Sequence, residues 1–176
     1  MEEGKEWINV KLDSIVCRLV SFTDGCIVAW IDQRKPVAAE MRRTSIKPKL
    51  TDFYNRIHTY CLKSRIYCHI CGNIKPVVHD LVETGLDCIT PLDPLGKFSV
   101  SEIRHMVGND FMFMGGVDTL SFVNKNPETV RLEAECCIRE GFVNHRNFAI
   151  GSGCVVPRTA KIETLQALTE ASKNVI

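Results

Sequence analysis

The feature that most constrains this chain is a repeating rhythm of short apolar runs and amphipathic stretches, punctuated by glycine. Residues 65–71 (Arg-Ile-Tyr-Cys-His-Ile-Cys) read as a strand ended by Gly72-Asn73. Residues 76–83 read as a helix with Val77, Val78, Leu81 and Val82 inward and Gly85 at its C-terminal cap. The pattern then repeats: strand 88–92 and helix 100–107 closed by Gly108; strand 111–114 ended by Gly115-Gly116, and a helix opening at Pro127 and running to about residue 140; strand 147–150 and helix 162–172. Ahead of these, residues 12–22 have helical spacing and 26–31 are strand-like. Residues 37–61 read mostly as helix, with Pro48 starting or kinking the clearer second half.

Five strands alternating with six helical segments predict right-handed crossovers and a parallel sheet covered by helices. The strands are apolar throughout rather than alternating, as expected of a sheet buried on both faces. No linker interrupts the pattern, so residues 1–176 are expected to form a single domain. The alternation leaves two closures open, a doubly wound sheet or a barrel. Neither Gly115-Gly116 nor Gly151-Ser-Gly153 completes a dinucleotide fingerprint. A complete eight-unit barrel takes about 250 residues, more than the 176 here.

Charge gives no partner. With 22 Lys+Arg against 21 Asp+Glu there is no electrostatic basis for expecting nucleic acid or an acidic membrane surface. The longest apolar run, residues 26–31, is far too short to span a bilayer. The acidic first residues are not followed by an apolar segment, so a secretory signal is not expected. Nine cysteines, an odd number, then point to thiols in a reducing, cytoplasmic compartment rather than to a disulfide framework.

In parallel α/β proteins the chemistry gathers at the C-terminal ends of the strands. Those ends carry Asp32, His69 with Cys71, Asp93, Asp118 and Cys154. In a strand, residues i and i+2 point to one side, so His69 and Cys71 would share a space that Cys154 could approach across a sheet or barrel mouth. One imidazole and two thiolates suit Zn²⁺ and leave a fourth position open. His-x-Cys alone is a weak pattern, and buried thiols beside a hydrogen-bonded histidine are the competing reading. Cys68 points away from Cys71 and reads as core. The neighbours Cys136 and Cys137 face different directions on a helix and make a poor metal clamp. His58, His79, His105 and His145 read as surface or capping residues. Asp32, Asp93 and Asp118 are substrate-binding candidates, although an Asp after a strand is also a common helix cap.

The stretch His69-Ile-Cys-Gly-Asn-Ile74 followed by Val77-Val-His-Asp-Leu-Val-Glu-Thr-Gly-Leu-Asp87 resembles the uroporphyrinogen decarboxylase family, and within it the branch of zinc-dependent methylcobalamin:coenzyme M methyltransferases. The resemblance continues through Met114-Gly-Gly-Val-Asp118, Pro127-Glu-Thr-Val130, Ile150-Gly-Ser-Gly-Cys-Val-Val-Pro157 and the final helix; Asp24-Gly25 and Asp32-Gln33-Arg34 match more loosely. It implies a (β/α)₈ barrel of which this chain resembles the C-terminal part, about five strands. It also implies zinc on His69, Cys71 and Cys154, a thiol acceptor such as coenzyme M held as thiolate, and a methyl donor that is a corrinoid carried on a partner protein. A further acidic zinc ligand of that branch has Asp32 and Asp93 as candidates. The metal-free decarboxylases of tetrapyrrole biosynthesis lack the His-x-Cys…Cys set, and their substrate-handling arginines cannot be placed here. A decarboxylase-type carboxy-lyase and a non-catalytic barrel fragment are the rival expectations. Five strands of an opened barrel leave unpaired edges, so a homodimer or a separate N-terminal half-barrel is the expected partner.

Overall fold

Each strand of the sheet lies beside the one before it in sequence. The computed structural model describes residues 26–30, 42–142 and 147–174. Their strands are β1 (Cys26–Trp30), β2 (Arg65–His69), β3 (Cys88–Leu92), β4 (Met112–Val117) and β5 (Phe148–Ser152), in spatial order β1-β2-β3-β4-β5 and all parallel. A doubly wound sheet reverses its order at a switch point, whereas an arc cut from a barrel does not. The unbroken order therefore makes this a partial β/α barrel. The predicted segments 12–22 and Asp24-Gly25 lie outside the described residues, as does Asp32.

Between the strands run α1 (Lys47–Tyr60), α2 (Val78–Val82), α3 (Val100–Val107), α4 (Ser121–Asn124), α5 (Pro127–Gly141) and α6 (Ile162–Asn174). Local chemistry fixes several boundaries. Pro48 sits in the first turn of α1, where its missing N–H costs nothing, and a π-helical turn at Arg42–Ile46 precedes it. The Ser99 hydroxyl caps the Glu102 N–H while the Glu102 carboxylate accepts from the Ser99 N–H, a capping box that starts α3. Asn126 caps α5 through the Thr129 N–H at 2.8 Å, with Pro127 at the first helical position.

One cluster of buried side chains joins helices to sheet, running from Phe53, Tyr54 and Ile57 of α1 through Ile66, Ile89 and Phe113 of the strands to Val130 and Ile138 of α5. Phe113 of β4 meets Phe148 of β5 edge-on at 5.4 Å between centroids. One departure from the sequence reading concerns a strand end. Gly115-Gly116, expected to terminate β4, lie inside it. Gly115 holds φ +130°, and a Cβ there would overlap the Leu92 amide, so β4 passes β3 closer than a side chain allows. Pro91 has no N–H to offer, and the β3–β4 register shifts between Ile89 and Leu92. No helix among the described residues is long and apolar enough to cross a membrane.

Candidate metal centre

β2 ends at His69, two residues short of the expectation that ran to residue 71, so Cys71 stands in the loop beyond. The meeting of side chains occurs nonetheless. His69 Nε2 lies 3.2 Å from Cys71 Sγ, and Cys71 Sγ lies 3.1 Å from Cys154 Sγ. One ligand atom from each of the three falls within 4.8 Å of the others, and among the described residues this is the grouping of His, Cys, Asp and Glu that could hold a metal ion. All three are half-buried at the C-terminal end of the sheet.

His69 is the last residue of β2, and the two cysteines are positioned by different loops. Ile70 continues the ladder past β2 by donating to the Thr90 carbonyl at 2.9 Å, which carries the backbone on to Cys71. On the far side, Gly153 donates to the Val117 carbonyl at 2.6 Å and Ser152 Oγ donates to the Cys154 carbonyl at 2.7 Å. Burial pushes the Cys71 thiol up to about 12, with the Cys154 hydrogen bond, the Cys154 charge and the Asp93 charge adding to it. Cys71 is therefore a thiol in the free protein, and a cation must displace its proton to bind.

The donor set fits zinc. Tetrahedral Zn–N and Zn–S bonds place N and S about 3.6 Å apart and two sulfurs about 3.8 Å apart. The observed separations are shorter by roughly half an ångström, a difference that side-chain rotation covers. A soft pair of sulfurs with an imidazole is also the wrong set for magnesium or calcium, which take oxygen.

The other candidates are placed differently. Asp93 is 7% exposed, and its Oδ2 accepts from the Gly72 N–H at 3.1 Å while Oδ1 accepts from the Leu95 N–H at 2.9 Å. Asp118 Oδ1 accepts from the Leu120 N–H at 2.9 Å and so caps the turn that follows β4. Neither carboxylate joins the His/Cys grouping. Cys68 is buried, Cys136 is exposed and Cys137 is buried, as their spacing implied. Glu133 was not foreseen: it accepts from the Asp118 N–H, Ser121 Oγ and Lys125 Nζ, all within 2.9 Å, and ties the β4 loop to α5. A glutamate on an amphipathic helix carries no sequence signal for such a role.

A parallel barrel arc with a His/Cys/Cys cluster at its strand ends defines a β/α-barrel protein with a candidate metal centre. The family model described as Uroporphyrinogen decarboxylase (URO-D) matches residues 25–175, and the chain belongs to that family. Among curated proteins it is similar to a methylated-thiol–coenzyme M methyltransferase of Methanosarcina mazei, 27% identical over 106 residues. That match covers 60% of this chain and 26% of the relative. Among solved structures it is similar to a methyltransferase from Methanosarcina mazei, with a TM-score of 0.68 at 20% identity, covering 85% of this chain and 42% of the other. The chain thus spans between a quarter and a half of the proteins it matches.

Proposed function

We propose that this protein is a methyltransferase-type member of the family whose zinc centre, formed by His69, Cys71 and Cys154, receives a thiol acceptor for a methyl group delivered by a corrinoid. The observation that carries the proposal is the convergence of one imidazole and two thiols at a half-buried strand end. Zinc bound there would supply the positive charge that brings a thiol, with an ordinary pKa of about 8.5, to its thiolate at neutral pH.

The chain's own residues do the rest. His69 presents Nε2, the nitrogen that faces Cys71. Cys71 and Cys154 release their protons on loading and fill two further positions, which leaves one open to an incoming ligand. A corrinoid bound by the partner would supply the methyl group, and the thiolate held at the His69/Cys71/Cys154 centre would supply the electron pair for the new S–C bond. No proton moves in that step, so no side chain is needed as a general base. Free thiols at such a centre call for a reducing compartment, the cytoplasm. In this proposal a second copy, or a separate chain carrying further strands of the family barrel, completes the barrel, and the corrinoid arrives on a partner protein.

Cobalt(II)-loaded protein titrated with coenzyme M tests the reading. The thiolate-to-cobalt charge-transfer absorption should rise by about one half as two coordinated thiolates become three. A spectrum indifferent to the added thiol would overturn the acceptor role.

A further inference from the structure

The thiols of the candidate centre come from two distant stretches of chain, yet one short segment touches both. Asp93 engages the Gly72 N–H through Oδ2 and the Leu95 N–H through Oδ1. Gly72 directly follows Cys71. Three residues beyond Asp93, Gly96 packs against that same glycine: a Cβ on Gly96 would stand 2.5 Å from the Gly72 carbonyl oxygen and would overlap the Phe98 ring. On the other side, a Cβ on Gly153 would overlap Pro94 Cδ and stand 3.1 Å from the Leu92 carbonyl oxygen. Gly153 directly precedes Cys154. Residues 92–96 are therefore wedged between the two backbones that carry the thiols, with no slack on either side.

We infer that residues 92–96, pinned by Asp93, set the separation of Cys71 and Cys154, and that Asp93 is a positioning residue of the centre and not one of its ligands. Both carboxylate oxygens are turned onto backbone amides rather than toward the His/Cys grouping. Bonds from N–H groups to a buried carboxylate are of the stronger, charge-assisted kind. Asparagine has the same shape but one of its two terminal atoms is a donor, so it must leave one of these amides facing an N–H. The spacing of the thiols stands on the geometry alone; its effect on metal affinity rests on the zinc reading above.

The test uses the full chain and two readouts. In metal-free protein, phenylarsine oxide bridges two adjacent thiols with release of one water, and peptide mass mapping quantifies the Cys71–Cys154 bridge. In loaded protein, competition with a chromophoric chelator gives the zinc affinity, and the cobalt(II) d–d absorption reports ligand geometry. Asp93→Asn and Gly153→Ala should each cut the bridge yield several-fold, lower zinc affinity by about 10–100-fold, and shift the cobalt bands. Gly108→Ala is the control: it has φ +79° with nothing near the added Cβ, so it strains the backbone away from the centre. It should lower the melting temperature and leave bridge, affinity and spectrum at wild-type values. Wild-type bridging and affinity in both Asp93→Asn and Gly153→Ala would overturn the inference, as would an equal loss in Gly108→Ala. A wild type that bridges its thiols but takes no zinc would sink the zinc reading, leaving the spacing to be decided by the arsenical alone.

Discussion

The two ends of the sheet use polar side chains in opposite ways. At the N-terminal end they are consumed. The Arg104 guanidinium is 4% exposed and makes five hydrogen bonds to carbonyls, to Gly141 twice and to Gly108, Phe111 and Asn147 once each, with distances of 2.7–3.1 Å. Its carbon centre lies 4.1 Å over the Phe113 ring. One side chain thus ties the ends of α3 and α5 to the starts of β4 and β5. Asp87 does the same nearby, with the Ile66 N–H at 2.7 Å, His58 Nε2 at 2.8 Å and an Arg65 nitrogen at 3.2 Å. At the C-terminal end, His69, Cys71 and Cys154 touch chiefly one another, while Asp93 and the glycines beside them hold their loops. A barrel keeps its stability at one face and its reactive groups at the other; here the division is visible in which donors and acceptors are already spent.

Substitutions can break or sharpen that contrast. The largest effect on stability is expected from Arg104→Ala, which strands four buried or half-buried carbonyls. It should cost about 3 kcal/mol or more in denaturant unfolding, yet whatever remains folded should keep its metal affinity. Asp87→Asn keeps one acceptor for the Ile66 amide and loses the charge that holds His58 and Arg65, for about 1–2 kcal/mol. Glu102→Gln should do less, and its effect should depend on pH. The Lys75 ion pair, with the Ser99 amide, holds the Glu102 carboxyl below its usual 4.5. A folded pKa below the unfolded one stabilises above about pH 4.5 and is lost as pH falls through the lower folded value. Wild type and Glu102→Gln should therefore differ at pH 7 and converge in acid melts. Cys154→Ser in metal-free protein should change stability least, within about 0.5 kcal/mol. A large loss there would show that the centre is a structural staple rather than a reactive site.

Much of this division was readable in the sequence, because it follows from local signals. Strand 88–92 and helix 100–107 stand where the pattern put them, with Gly108, read as the helix stop, at the C-terminal cap. The His69/Cys71/Cys154 trio was legible from strand-end placement, although Cys71 reaches its neighbours from a loop and not from the strand. What escaped depends on contacts between distant residues. His58 read as a surface residue, but its partner Asp87 is 29 positions away. Arg104 lies in an amphipathic helix, where a charge ordinarily faces water; only the packing of α5 and β5 around it makes it a clamp. The glycines at 115 and 116 read as a strand end because glycine usually breaks strands, and the need for close passage beside Leu92 is a tertiary fact.

The most direct test of the metal centre is elemental analysis of untagged protein purified without chelators, beside the Cys71→Ser/Cys154→Ser double variant. About one zinc per chain in the wild type and none in the variant is the predicted result. Metal-free wild type, or equal zinc in both proteins, would contradict it.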